Sequence, residues 1–151
     1  MPNDIQKRVA MDLLSVPSLV FRMVRRRVVM MTLGDANLDI KLLHFEIMRV
    51  LKDEGTMHPA KIGGKLLVAK AQMTHLIDRL VELGFVKREM GSDDRRTINI
   101  TLTEKGRKVL EEQDNLVISA MQENMSALTD DDLEDLSKSL RKLRDILIKL
   151  E

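Results

Sequence analysis

The chain has no cysteine, no tryptophan and no tyrosine among its 151 residues, and its only aromatic side chains are Phe21, Phe45 and Phe85. Without cysteine there can be no disulfide, thiolate nucleophile, cysteine-based zinc site or thiol redox switch, and a cytoplasmic protein is expected. With so few aromatics, leucine, isoleucine, valine and 11 methionines must fill the core. Methionine is adaptable and also suits interfaces that re-pack. No apolar run reaches the ~18 residues of a membrane span, and the first residues show no apolar signal-peptide segment. Recognisable nucleophile motifs, a phosphate-binding glycine loop and paired catalytic carboxylates are also missing, so no enzyme is expected. The three histidines, His44, His58 and His75, fall on different predicted helices or their ends, with neither HxH nor HExxH spacing. No metal and no cofactor is expected.

What is present is a soluble globular balance, 44% hydrophobic and 32% charged, in a length that suits one domain, residues 1–151. Net charge is only +1, but the charges are sorted along the chain. Lys61 to Arg96 carries eight Lys/Arg against five Asp/Glu, whereas Glu111 to Asp135 carries nine Asp/Glu and no cation. Arg22, Arg25, Arg26 and Arg27 form a second basic cluster. On charge alone, an oriented polyanion-binding molecule and two solvated faces explain this equally well.

Apolar periodicity divides the chain into elements. Met11, Leu14, Leu19, Val20, Met23 and Val24 give a long first helix, expected to bend or restart at Pro17. Asp39 is expected to cap a second helix to about Leu51, ended by Gly55. His58-Pro59 opens a short third helix containing Ile62, Leu66 and the costly pair Gly63-Gly64. Ala69 to Leu83 forms a fourth, with Met73, Leu76, Ile77, Leu80 and Leu83 as its apolar stripe and Gly84 as its stop. The period then becomes two. Phe85 to Met90 and Thr97 to Leu102 read as strands joined by the charged turn Gly91 to Arg96. Thr103 caps a fifth helix to about Met125, and Thr129 to Asp132 opens a sixth with an aspartate version of the capping box. In that last helix Leu133, Leu136, Leu140, Leu143, Leu147 and Leu150 form a short heptad seam, which fits an ordinary core face or a subunit interface.

Three helices followed by a two-stranded hairpin is the winged helix-turn-helix order, in a mainly α (α+β) fold. In that arrangement the third helix braces the fourth, and the hairpin tip carries Arg95 and Arg96 to one side. The stretches Met73 to Leu80, Leu83-Gly84-Phe85-Val86-Lys87-Arg88, Asp93-Asp94-Arg95-Arg96 and Leu102-Thr103-Glu104-Lys105-Gly106 resemble the recognition helix, wing and fifth-helix entry of the MarR family. By motif the resemblance spans roughly Ile40 to Leu110, and by element order the whole chain.

The resemblance implies a homodimeric, sequence-specific transcriptional regulator, a repressor that binds a pseudo-palindromic operator in double-stranded DNA and is released by a small molecule. It implies a DNA-binding lobe over residues 38–102 and dimerisation helices in 1–34 and 103–151. By matching position, Lys70, Ala71, Gln72, Thr74 and His75 would face DNA. Arg79 would bind phosphate or brace the wing through Asp94. Lys65, Lys87 and Arg88 would meet phosphates, the wing arginines Arg95 and Arg96 would reach the backbone or the minor groove, and Asp78 and Asp94 would orient arginines. The leucine seam would join the dimer. Arg26, Arg27, Met30, His44, Met48 and Arg107 would line an effector cleft suited to an anionic aromatic acid; dimer packing and surface charge explain the same residues. Ala69 departs from the family pattern where Ser or Asp commonly caps, Leu67 where Gly is common, and Gly91 where Asp is common. These departures, with the near-zero net charge, leave one alternative: a dimeric winged-helix interaction module that does not regulate DNA.

Overall fold

A computed structural model gives the architecture. It describes residues 4–32, 42–91 and 96–151, and for residues 21 and 24–32 the backbone alone. The first element is α1 (Asp4–Thr32), which runs through Pro17 without a break. The helix therefore does not restart at Pro17. Proline removes a single N–H from the helix ladder, and 29 residues supply many others. Nearby hydroxyls bond carbonyls other than that of Leu13, which Pro17 has no N–H to reach: Ser15 Oγ donates to the Asp12 carbonyl at 3.1 Å and Ser18 Oγ to the Leu14 carbonyl at 3.5 Å. Asp39, the expected cap of the next helix, lies outside the described residues.

Three helices and a hairpin follow: α2 (Leu42–Glu54), α3 (Pro59–Leu66), α4 (Lys70–Glu82), β1 (Val86–Met90) and β2 (Ile98–Leu102). The strands are antiparallel, with Val86 opposite Leu102 and Met90 opposite Ile98. Gly55 and Gly84 close α2 and α4 at φ +87° and +75°, the left-handed region that glycine enters without a Cβ penalty. His58 caps α3 in a way its residue type did not announce: its Nδ1 accepts from the Ala60 N–H at 3.1 Å. Pro59 stands at the first turn, where its missing N–H costs nothing.

Apolar stripes from these elements meet in one core. Phe45, Ile47, Met48 and Leu51 come from α2, Ile62 from α3, and Met73, Leu76, Ile77 and Leu80 from α4. Phe85, Val86 and Ile100 cover it from the hairpin side. Met57 adds a link that the sequence pattern did not show. It pairs with Ile100 on the free side of β2 through two backbone hydrogen bonds, 3.2 and 2.9 Å long.

The next helix, α5 (Glu104–Asn124), is locked to the hairpin by Thr103. Its hydroxyl donates to the Gly84 carbonyl at 2.6 Å and accepts from the Gly106 N–H at 3.0 Å. Its own N–H donates to the Phe85 carbonyl at 3.0 Å. Leu110 on α5 is fully buried in the same core.

The chain divides into two compact units, residues 1–117 and 118–151. The second contains the end of α5, a 3-10 turn (Met125–Ala127), α6 (Asp130–Leu147) and a terminal 3-10 turn (Ile148–Leu150). The capping box forms as expected: Thr129 accepts from the Asp132 N–H at 3.1 Å and donates its own N–H to the Asp132 carboxylate at 3.4 Å. No residue of α6 is buried. Among the described residues, no helix is long and apolar enough to cross a membrane.

Candidate nucleic-acid interface

The fourth helix carries two opposite surfaces. Met73, Leu76, Ile77 and Leu80 are buried, and Lys70, Ala71, Gln72, Thr74, His75 and Asp78 are exposed. The 3.6-residue period separates them, so every side chain expected to face DNA from this helix lies on its solvent side apart from the half-buried Arg79. Ala69 occupies the N-cap in extended conformation and offers no side-chain acceptor. The first N–H groups of α4 thus lack the partner that Ser or Asp would supply. The Thr74 hydroxyl donates to the Lys70 carbonyl at 3.1 Å, which leaves its methyl as the apolar group it can present.

A close contact holds α3 and α4 together. A Cβ placed on Gly63 would stand 3.0 Å from Met73 Cγ and 3.0 Å from the Val68 carbonyl oxygen, which accounts for glycine inside α3. Gly64 meets nothing within 4 Å, so contact does not explain it. Between the two helices lies an open apolar groove of about 730 Å³, lined by residues that include Pro59, Leu67, Ala69, Lys70 and Thr74.

Most of the expected phosphate-binding cations have carboxylate partners within the chain. Arg88 on β1 pairs with Asp78 on α4, tying the hairpin to the helix. Arg79 pairs with Glu82 at 3.2 Å, a partner other than the expected Asp94, which lies outside the described residues together with Arg95. Lys65 on α3 reaches Glu54 at 2.8 Å, and Lys87 reaches Glu89 at 2.8 Å. Hydrogen bonds from Lys87 and then Thr101 hold the Glu89 carboxyl below its usual range. Arg96 is exposed beside the turn. These surface pairs are individually weak and exchange readily for stronger anions. Sequence reasoning anticipated that Asp78 would orient an arginine, but not that the arginine would be Arg88.

Three of the expected effector residues have described side chains, and they differ in exposure. Met48 is fully buried in the core and His44 is 4% exposed, while Arg107 is half-buried. The side chains of Arg26, Arg27 and Met30 lie outside the described residues. Residues that the sequence reading missed include Arg49 on α2, whose guanidinium forms two hydrogen bonds to Asp114 on α5, at 3.0 and 2.7 Å. These bonds, more than burial opposes, raise the arginine's pKa above its ordinary value. The leucines of the expected seam are all unburied within the chain. Leu136, Leu140 and Leu147 are exposed, as are Ile5, Val9, Met11 and Leu14 of α1.

Comparison with known proteins agrees with this architecture. The MarR family model matches residues 40–98. The uncharacterized HTH-type transcriptional regulator YfiV of Bacillus subtilis is 33% identical over 81 residues, which cover 51% of this chain and 51% of that protein. The chain thus matches about half the length of that relative. The uncharacterized HTH-type transcriptional regulator YpoP, also of Bacillus subtilis, is 30% identical over 99 residues, covering 66% of this chain and 70% of that one. Among solved structures, a MarR family protein from Bacillus stearothermophilus superposes with a TM-score of 0.75 at 21% identity, covering 94% of this chain and 97% of that one. A mutant MarR from E. coli, solved in complex with operator DNA, superposes with a TM-score of 0.58 at 24% identity, covering 90% and 93%. The fold is the winged helix-turn-helix of those structures, mainly helical with a two-stranded wing. The chain belongs to the MarR family.

Proposed function

We propose that this chain is a sequence-specific DNA-binding transcriptional regulator that acts as a homodimer in the cytoplasm. The observation that carries the reading is the solvent face of α4. Lys70, Ala71, Gln72, Thr74 and His75 stand exposed together on a helix braced by α3 and flanked by a hairpin bearing Arg88 and Arg96. A helix of this kind fits a major groove, and the side chains offer the groups that base edges take: amide for adenine, methyl for thymine, cation for phosphate. The E. coli relative solved with operator DNA supports the same use of the fold.

In this reading residues 38–102 form the DNA-binding lobe, and helices within 1–34 and 103–151 form the dimer. The exposed apolar side chains of α1 and α6 support that assignment. The dimer sets two recognition helices about 34 Å apart on a pseudo-palindrome. It acts as a repressor and leaves DNA when a small anionic aromatic effector binds near His44 and Arg107.

Fluorescence anisotropy with the fragment upstream of the protein's own gene, at two salt concentrations, tests the core of this. Specific binding that weakens steeply with salt is expected. Binding to no genomic fragment at either salt concentration sinks the reading in favour of a protein-interaction module. For the effector, a thermal-shift screen of aromatic acids should find at least one that raises the melting temperature and releases DNA.

A further inference from the structure

Leu67 makes no sense as a folding residue. It sits in the turn between α3 and α4 at φ 53° and ψ 46°, the only non-glycine residue with positive φ among the described residues. A side chain in this left-handed conformation costs roughly 1–2 kcal/mol. Burial does not offset that cost, because Leu67 is 94% exposed, more than any other large apolar side chain described. Glycine would make the turn without strain and without an apolar side chain in water.

The surroundings narrow what can cover it. Leu67 lines the groove between α3 and α4 with Pro59, Ala69, Lys70 and Thr74. No acidic side chain lines that groove. Lys70 is the one cationic side chain among its lining residues, and the uncapped N–H groups of α4 open at its edge. The groove therefore offers an apolar floor with one lysine and the N–H groups of α4 at its edge. The complementary partner carries a small apolar group close to anionic oxygens. In the major groove, the C5-methyl of thymine beside the phosphate backbone has that chemistry. Lys70 and Thr74 belong both to this groove and to the exposed face of α4, so the two surfaces are continuous.

We infer that Leu67 is a specificity-determining residue that contacts a thymine methyl at the edge of each half-site, and that the leucine is kept in its strained turn for this contact. The inference rests on the DNA-binding reading above. It adds a base contact from the turn, outside the recognition helix.

The test is a uracil scan of a bound fragment, replacing one thymine at a time so that only the methyl is lost. The wild-type protein should lose about 4-fold in affinity at one outer thymine per half-site, the worth of one buried methyl. Leu67→Gly should lose that discrimination at that thymine and at no other, while its melting temperature rises. Leu67→Asn, which keeps a side chain that tolerates the left-handed region, should give the same scan. A Leu67→Gly scan identical to wild type at every thymine overturns the inference while the DNA-binding reading stands. If wild type binds no fragment, both fall. If Leu67→Gly instead changes the sedimentation mass and leaves the scan unaltered, a second copy covers the groove and the methyl contact is wrong.

Discussion

At the residue scale, two glycines of the same lobe should respond in opposite directions. Gly106 lies in the first turn of α5 against the hairpin, and a Cβ there would collide with the Phe85 carbonyl oxygen. That oxygen also accepts from Thr103 and cannot move freely. Gly106→Ala should cost about 3 kcal/mol, the upper end of overpacking penalties, read as a lower denaturant midpoint. Gly64 lies inside α3 with nothing within 4 Å. Gly64→Ala should therefore stabilise by roughly 1 kcal/mol through helix propensity alone. The sequence marked the Gly63-Gly64 pair as one costly feature. Only the packing separates them, because it puts Met73 and Val68 against Gly63 and leaves Gly64 bare. Ala69 was legible as a missing cap from its residue type, whereas His58 was not legible as a cap. Histidine accepts at a helix start only when its ring turns the unprotonated nitrogen to the backbone.

At the element scale, two arginine–carboxylate pairs join elements that the core alone would leave free to shift. Arg88 and Asp78 connect β1 to α4, with side chains 40% and 50% exposed. In the proposed DNA complex Asp78 holds a cation back from phosphate and adds an anion near the groove. Asp78→Asn should therefore raise affinity for non-specific DNA and steepen the slope of log K against log salt by about 0.9 for each phosphate newly neutralised. An unchanged slope would show that Arg88 stays away from the backbone. Arg49 and Asp114 connect α2 to α5 by a two-bond pair, less exposed on the carboxylate side. A double-mutant cycle with Arg49→Met and Asp114→Asn should return a coupling of about 1 kcal/mol, the high end for partly exposed pairs. Helices, strands, the capping box and Gly55 and Gly84 were readable because each is decided within a few neighbouring residues. The pairs were not. Choosing Asp78 for Arg88, or Glu82 rather than Asp94 for Arg79, depends on how elements pack, and the bridge from Met57 to Ile100 joins residues 43 positions apart. Pro17 belongs with them: a local rule allows a bend or a restart there, and only the length of a 29-residue helix decides against the restart.

At the scale of the whole molecule, what distinguishes the proposed dimer from a single folded chain is apolar surface without cover. Leu140 is 47% exposed and Leu136 39%, on a helix with no buried residue. Such a surface gains little from leucine while it faces water, so a polar replacement should cost an isolated chain almost nothing. In a dimer built on α6 the same replacement buries two charges, one from each chain, because a two-fold interface uses the same patch of both. Leu140→Glu thus separates the two cases with one substitution. If α6 builds the dimer, the wild-type protein should sediment as two chains and its melting temperature should rise with concentration. Leu140→Glu should sediment as one chain or melt at lower temperature. Affinity for a two-half-site fragment should fall by at least about 100-fold, since each half-site must then be bound alone and the link between them no longer supplies a high effective concentration. Affinity for a single half-site should change far less. A Leu140→Glu protein that still sediments as two chains and still binds the full site tightly would place the dimer contacts elsewhere in the chain.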